Sequence, residues 1–308
     1  FETSADIEKP PHWLWTFLTG LRTERKPMAK PYGVRLAEGK IFVCDTMLSC
    51  LCVFDLDHNS FAYQAPRGPA ALRKPINLDV GPDGTRYVAD SDRRMVLKFD
   101  AAGQYINPIR GDESFRPVDV AVRGDRIYVV DTDGRKVHVY DRATDKELLT
   151  VPSAATNADE KLYIPTNADV DEDGNIYVAD TRAFRVNMYD REGRYVKAFG
   201  RHGDGPGLFA RPKGVRVDRA GRLYVVDAAE QVVQIFEIKT GNLLMYFGEP
   251  EGSDAPLSLP AGIDIDYDHV HHFQKYAAPD FEIEYLILVA NQFEIPRIMV
   301  YGFGHRKK

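Results

Sequence analysis

Three side chains in this 308-residue chain have the type and spacing to hold a hard cation. Asn77, Asp119 and Asn167 each stand two residues after a proline, at Pro75, Pro117 and Pro165. Oxygen ligands converging from three neighbouring segments would suit Ca²⁺, which takes about six to eight of them. The same place after Pro31, Pro212 and Pro260 holds Gly33, Gly214 and Gly262. That exchange of Gly for Asn and Asp carries a plainer expectation, a backbone site of positive φ, which Gly adopts freely and Asn and Asp tolerate best among the rest. No cofactor beyond calcium is expected. No histidine stands at a matching position, so the ring has no evident group titrating near neutral pH to carry acid–base chemistry.

A second set repeats with the chain. Asp45, Asp90, Asp131, Asp180 and Asp227 recur 41 to 49 residues apart. A residue repeated in five segments is expected to serve the fold, its carboxylate accepting N–H groups of the turn that follows. Those turns carry Arg93, Arg94, Arg135, Lys136, Arg182 and Arg185. Together they would form a basic sector fit for an acidic protein or a phosphate backbone. Phe184 is the one stacking aromatic among them, so nucleic acid is disfavoured, and neighbouring Asp92, Asp133 and Asp180 make a solvated mixed-charge surface the alternative. Near the end, residues 268–281 read as an insertion bearing His269, His271 and His272, which could ligate a metal, and Phe273 and Tyr276, which could meet a partner. Cys44, Cys50 and Cys52 fall within nine residues. Cys44 and Cys50 lie on adjoining strands, where a disulfide could form in an oxidising compartment; three buried or half-buried thiols are the alternative. The spacing matches no common zinc pattern, and no Ser-His-Asp or Cys-His-Asn set stands out.

The elements that must position these residues are short strands. Segments such as Gly174-Asn-Ile-Tyr-Val-Ala-Asp-Thr181 and Arg222-Leu-Tyr-Val-Val-Asp-Ala228 are β-branched and aromatic with no helical period. Each unit opens with a Pro-led strand and turns, often through Asp-Gly as at Asp83-Gly84 and Asp173-Gly174. The Tyr-Val-Ala-Asp strand follows, then a polar hairpin and two further strands. Units open near Pro31, Pro75, Pro117, Pro165, Pro212 and Pro260. Such a period fits four-stranded blades, and the expected fold is an all-β, six-bladed β-propeller formed by residues 1–308 as a single domain. The sixth unit lacks a fourth strand at its own end. Residues 12–20, His-Trp-Leu-Trp-Thr-Phe-Leu-Thr-Gly, precede Pro31 as Tyr195 to Gly200 precede Pro212. They are expected to complete blade six and hide its edge, so that deleting them weakens the whole ring.

The net charge of −6 and pI of about 5.8 argue against a non-specific grip on nucleic acid. No apolar run is long enough to span a bilayer. The chain opens on Phe1 rather than Met, which is consistent with removal of an upstream segment such as a secretory signal.

The elements Pro-x-Gly-Val-x-Val, Tyr-Val-Ala-Asp-Thr and Arg-Val-x-x-Tyr-Asp, with the linker Phe199-Gly-Arg-His-Gly-Asp-Gly-Pro-Gly-Leu-Phe209, resemble the NHL-repeat family over residues 12–304. Blades one and six depart most from the pattern. The resemblance implies a six-bladed ring that works as an interaction module; some such domains bind RNA. The chain is similar to bacterial NHL proteins, which are often exported and some of which resemble envelope proteins associated with multihaem cytochromes. On that reading the chain is a subunit or accessory of an extracytoplasmic assembly with a protein partner. It has no Cys-x-x-Cys-His and so is expected to carry no covalent haem itself. The alternative class is a metal-dependent hydrolase or lyase with its site at the channel mouth. The related calcium-dependent six-bladed enzymes place a ligand directly after the proline, where this chain has Tyr32, Ile76, Val118, Thr166, Lys213 and Ala261. That is a poor ligand set, and binding is favoured over catalysis.

Overall fold

The computed structural model describes residues 1, 3–8, 26–155, 157–248, 256–293 and 297–307. The first sheet comprises β1 (Pro31–Ala37), β2 (Lys40–Asp45), β3 (Cys50–Asp55) and β4 (Ser60–Gln64). The second comprises β5 (Pro75–Val80), β6 (Arg86–Asp90), β7 (Met95–Phe99) and β8 (Tyr105–Arg110). Next come β9 (Pro117–Arg123), β10 (Arg126–Asp131), β11 (Lys136–Asp141) and β12 (Glu147–Val151). The fourth sheet holds β13 (Pro165–Val170), β14 (Ile176–Asp180), β15 (Arg185–Tyr189) and β16 (Tyr195–Phe199). The fifth holds β17 (Pro212–Val217), β18 (Arg222–Asp227), β19 (Val232–Glu237) and β20 (Leu243–Phe247). The sixth shows three strands among the described residues, β21 (Pro260–Asp266), β22 (Phe281–Asn291) and β23 (Ile298–Arg306). Each sheet is an antiparallel meander in chain order. The Asp-Gly turns form as their chemistry dictates, with Gly84 and Gly174 at φ of 75° and 86°.

The leading strands pack side by side around an axis. β1 contacts β5, β5 contacts β9, and so on through β21, which returns to β1 and closes the ring. The apolar core divides accordingly into six wedges, one per junction between neighbouring blades. The wedge between blades three and four holds Val130, Val137, Val178 and Tyr189. The wedge at the seam between blades six and one holds Val34, Cys52, Phe54, Leu286, Leu288 and Ile298. Both faces of a blade are buried in such an arrangement, and the middle strands therefore read as continuous apolar runs rather than alternating ones. The ring and its six blades are as the repeat spacing predicts. The expected closing strand, residues 12–20, lies outside the described residues. The chain start does reach the seam: the Phe1 amino group donates to the Ile298 carbonyl at 2.9 Å, and its ring packs 5.1 Å from that of Phe54.

Of the two alternatives for the cysteines, the free thiols are found and the disulfide is not, for a reason of register. Across β2 and β3, Cys44 faces Leu51 while Cys50 faces Asp45. A single step of register puts Cys44 and Cys50 on opposite faces of the sheet. Cys44 packs into the wedge with blade two, whereas Cys50 and Cys52 pack into the seam with blade six. All three are buried free thiols. Among the described residues no helix is long and apolar enough to cross a membrane.

Candidate functional site

The recurrent aspartates fasten each blade to the linker that leads into it. Every opening proline pairs with its blade's aspartate: Pro31 with Asp45, Pro75 with Asp90, Pro117 with Asp131, Pro165 with Asp180 and Pro212 with Asp227. Asp180 shows the pattern. Its carboxylate accepts the N–H of Tyr163 at 2.7 Å, of Ile164 at 2.9 Å and of Ala183 at 3.3 Å. The two residues ahead of the proline are thus tied as well as the following hairpin, which is wider than the expected turn-capping role. In blade six Asn291 takes the place opposite Pro260 and accepts the Ser258 N–H.

The ring of Asn77, Asp119 and Asn167 lines the innermost strands, but the positive-φ expectation fails. Gly33, Gly214 and Gly262 are absent from the left-handed residues. They are glycines because neighbouring strands crowd them: a Cβ on Gly33 would fall 2.1 Å from Asn77 Oδ1, and one on Gly262 would fall 2.3 Å from the Tyr32 carbonyl oxygen. Asn77 Oδ1 accepts the Leu78 N–H, Asp119 accepts the Val120 and Ala168 N–H groups at 2.9 and 2.8 Å, and Asn167 Oδ1 is buried without a partner. The third bond crosses from blade three to blade four. It belongs to a second device, in which an aspartate on one leading strand accepts an N–H of the next. Asp79 takes Val122, Asp169 takes Val217 and Asp264 takes Leu36, at 2.7 to 2.8 Å.

Two arginines complete this belt. Arg35 sits 2.9 Å from Asp79 and 2.5 Å from Asp264, and Arg216 sits 3.2 Å from Asp264 and 3.6 Å from Asp169. Burial opposes the charge of Arg216, but Asp169 and Asp264 outweigh it and hold the guanidinium firmly protonated. At the mouth that receives the first-to-second-strand turns, a polar cavity of about 450 Å³ opens above this belt. On the other side of the channel Lys213 reaches across to Tyr32, donating to its hydroxyl at 3.1 Å with the ammonium 4.9 Å from the ring centre.

The expectation that no group here titrates near neutrality is overturned. Burial pushes the Asp119 carboxyl up to about 7 despite Arg216 and its two backbone donors. Burial and nearby Arg211 bring the Lys213 ammonium down to about 8. Sequence reading dismissed position 213 as a poor ligand, and nothing in its local sequence signals a shifted amine.

The basic turns are partly consumed by the fold. Arg93 donates to the carbonyls of Pro69 and Ala71, Arg94 to that of Glu113, and Arg185 to the carboxylate and carbonyl of Asp159. Arg135 and Arg182 remain exposed, and Lys136 is half-buried. Arg94 and Arg135 also occupy a left-handed position, at φ of 53° and 55°, that Ser49, Phe184 and Gln231 fill in the other blades. This turn face holds exposed large apolar side chains too: Met47 at 69% exposure, Phe293 at 51%, and Leu48, Tyr163 and Ile164. Lys30 lies over the Phe293 ring at 5.5 Å and its carbonyl accepts the Thr46 N–H, which joins Phe293 to the Met47 turn across the seam.

The insertion after β21 folds into two short 3-10 turns, Val270–His272 and Gln274–Tyr276, on the opposite face. Phe273 is buried in the seam core and so is not a partner contact, whereas Tyr276 is exposed. His269 accepts the Gly39 N–H on Nε2 and meets Asp266 through Nδ1 at 2.8 Å. His271 and His272 lie ring to ring at 4.1 Å, and Asp57 of the β3–β4 turn joins them. Asp57 went unnoticed in the sequence because it is more than 200 residues from the histidines.

A profile described as a 6-bladed beta-propeller matches residues 155–246. The Drosophila melanogaster protein brain tumor is 28% identical over 134 residues, which is 43% of this chain and 12% of that protein. The chain folds as a six-bladed propeller, and its similarity to brain tumor fits one of the NHL type. Among solved structures it resembles a streptogramin B lyase, with a TM-score of 0.60 and 13% identity over 91% of this chain and 85% of that one. A Bacteroides thetaiotaomicron protein of unknown function gives 0.66 and 16% over 90% and 70%. Kuenenia stuttgartiensis hydrazine synthase gives 0.58 and 14% over 92% and 98%. At such identities these likenesses describe the fold, which hosts unrelated activities.

Proposed function

We propose that this NHL-type propeller is a docking scaffold that engages a protein partner through the face bearing the second-to-third-strand turns, as a subunit or accessory of an extracytoplasmic assembly. The observation that carries the reading is the distribution of exposed large apolar side chains. Met47, Leu48, Tyr163, Ile164 and Phe293 share that face, while the opposite face offers Tyr276 among the described residues. Phe293 and the Met47 turn adjoin across the seam through Lys30; exposed apolar surface of this kind marks interaction sites, and Met, aromatic residues and Arg are the types enriched in interfaces. Exposed Arg94, Arg135 and Arg182 lie in the corresponding turns of blades two, three and four on the same face and favour an acidic partner. The extracytoplasmic, cytochrome-bearing setting is supported by the repeat resemblance.

Asp119 and Lys213 titrate in the range of an acid–base pair, which supports the hydrolase or lyase alternative. Their exposures of 2% and 8% weigh against it, because a reacting molecule needs access to both. The test is affinity capture from native extract with the wild type, the double variant Met47→Asp/Phe293→Asp, and Tyr276→Asp. Loss of a captured protein with the first variant and its retention with the second is the expected result. Retention with both, or loss with Tyr276→Asp alone, excludes this face.

A further inference from the structure

We propose that His271, His272 and Asp57 form a binding site for a borderline divalent transition metal, Zn²⁺ or Co²⁺, that clips the insertion of blade six to blade one. The donor atoms of the three side chains lie within 4.8 Å of one another, close enough for one ion to draw them in to ligand distances of about 2 Å with small side-chain movements. His272 Nε2 stands 3.2 Å from Asp57 Oδ1 yet is angled so that it makes no hydrogen bond, and the atom is shut away from solvent. A buried imidazole nitrogen with no hydrogen-bond partner, beside a carboxylate, is what a metal would satisfy. Two imidazoles and one carboxylate select zinc or its neighbours over calcium or magnesium, which prefer oxygen alone.

The surroundings hold this arrangement in place. Gly39, at φ 69°, leaves room for the Asp57 carboxylate, since a Cβ there would fall 2.2 Å from Oδ2. The Gly39 N–H binds His269 Nε2, so the His269 proton sits on Nδ1 facing Asp266. His269 is therefore not a ligand. Its ring stacks 6.4 Å from that of His272 and fixes the wall of the site. Asp57 and His271 are exposed, which leaves the remaining coordination positions to water. The three ligands come from opposite sides of the seam that closes the ring, so binding couples to closure: an ion bound only by the folded ring raises its stability.

The experiment uses the 308-residue chain stripped with a chelator. Co²⁺ and Zn²⁺ are titrated separately by calorimetry, Co²⁺ also by visible absorption, and thermal melts are recorded with each ion. One equivalent is expected to bind, with Co²⁺ giving an imidazole-ligated spectrum and both ions raising the melting temperature. His272→Ala, His271→Ala and Asp57→Asn should each weaken binding by at least about tenfold and remove the melting shift, while their metal-free melts stay near wild type. His305→Ala, an exposed histidine paired with Glu284, should leave binding unchanged. Absence of stoichiometric binding, or binding that survives His272→Ala and Asp57→Asn, overturns the proposal. Gly39→Ala, which crowds the Asp57 carboxylate without replacing a ligand residue, should weaken Co²⁺ binding in the same direction.

Discussion

The Asp180 carboxylate accepts the N–H groups of Tyr163 and Ile164 and shares that of Ala183 with its own backbone carbonyl. Replacing it with Ala removes the acceptor from the two linker N–H groups, at about 1–3 kcal/mol for each that water cannot reach. Asp180→Ala is expected to lose at least about 2 kcal/mol in urea unfolding; a loss below about 0.5 kcal/mol would mean the linker ties are dispensable. Asp119 acts in the opposite sense. Its folded-state value of about 7 lies above the ordinary carboxylate value. The folded protein therefore holds this proton more tightly than the unfolded chain. The resulting stability is present in full below about pH 4 and drains away as pH rises toward and through 7, by on the order of a few kcal/mol. Asp119→Asn should remove that slope from a plot of unfolding free energy against pH, at the cost of one backbone acceptor. An unchanged slope would show Asp119 ionised in the fold.

Among the elements, the wedges between blades do most of the work. Leu288 on β22 is fully buried in the seam, and Leu288→Ala should cost about 2–5 kcal/mol. Leu244 on the outer β20 is half exposed, and Leu244→Ala should change stability by less than about 0.5 kcal/mol. Urea midpoints measured side by side decide it, and equal losses would deny the wedge its role. The strand order and blade number were legible in the sequence because Pro, Asp-Gly and Tyr-Val-Ala-Asp each have a local backbone cause. The left-handed turn residue was not, since Ser49, Arg94, Arg135, Phe184 and Gln231 share no chemistry, only a place four residues after the aspartate. The face each cysteine takes depends on a single register step that spacing alone left open. The glycines of the channel were misread because crowding by a neighbouring blade is a long-range fact.

For the whole molecule, closure means that no blade is an end. Each leading strand leans on two others, and the belt of Asp79, Asp169, Asp264, Arg35 and Arg216 joins blades far apart in sequence. A weakened seam should therefore loosen distant blades as well. In the Leu288→Ala protein, amide exchange in β9–β11 should quicken together with that in β21–β23. Confinement of the faster exchange to blade six would mean the blades open independently. The candidate sites were less legible than the ring because they are assembled across such junctions: Asp57 meets its histidines, and Lys213 meets Tyr32, only once the circle is drawn.

The carboxylate that grips the two residues ahead of the opening proline, in blades one, two, four and five, works like a peg driven beside a rope. Tension or slack behind the peg never reaches the sheet in front of it. The interval between opening prolines can then drift from 42 to 48 residues without disturbing the pleat that follows. A guest sequence spliced upstream of Tyr163 would hang from the rim as a free bight, and the disc beneath would keep its shape.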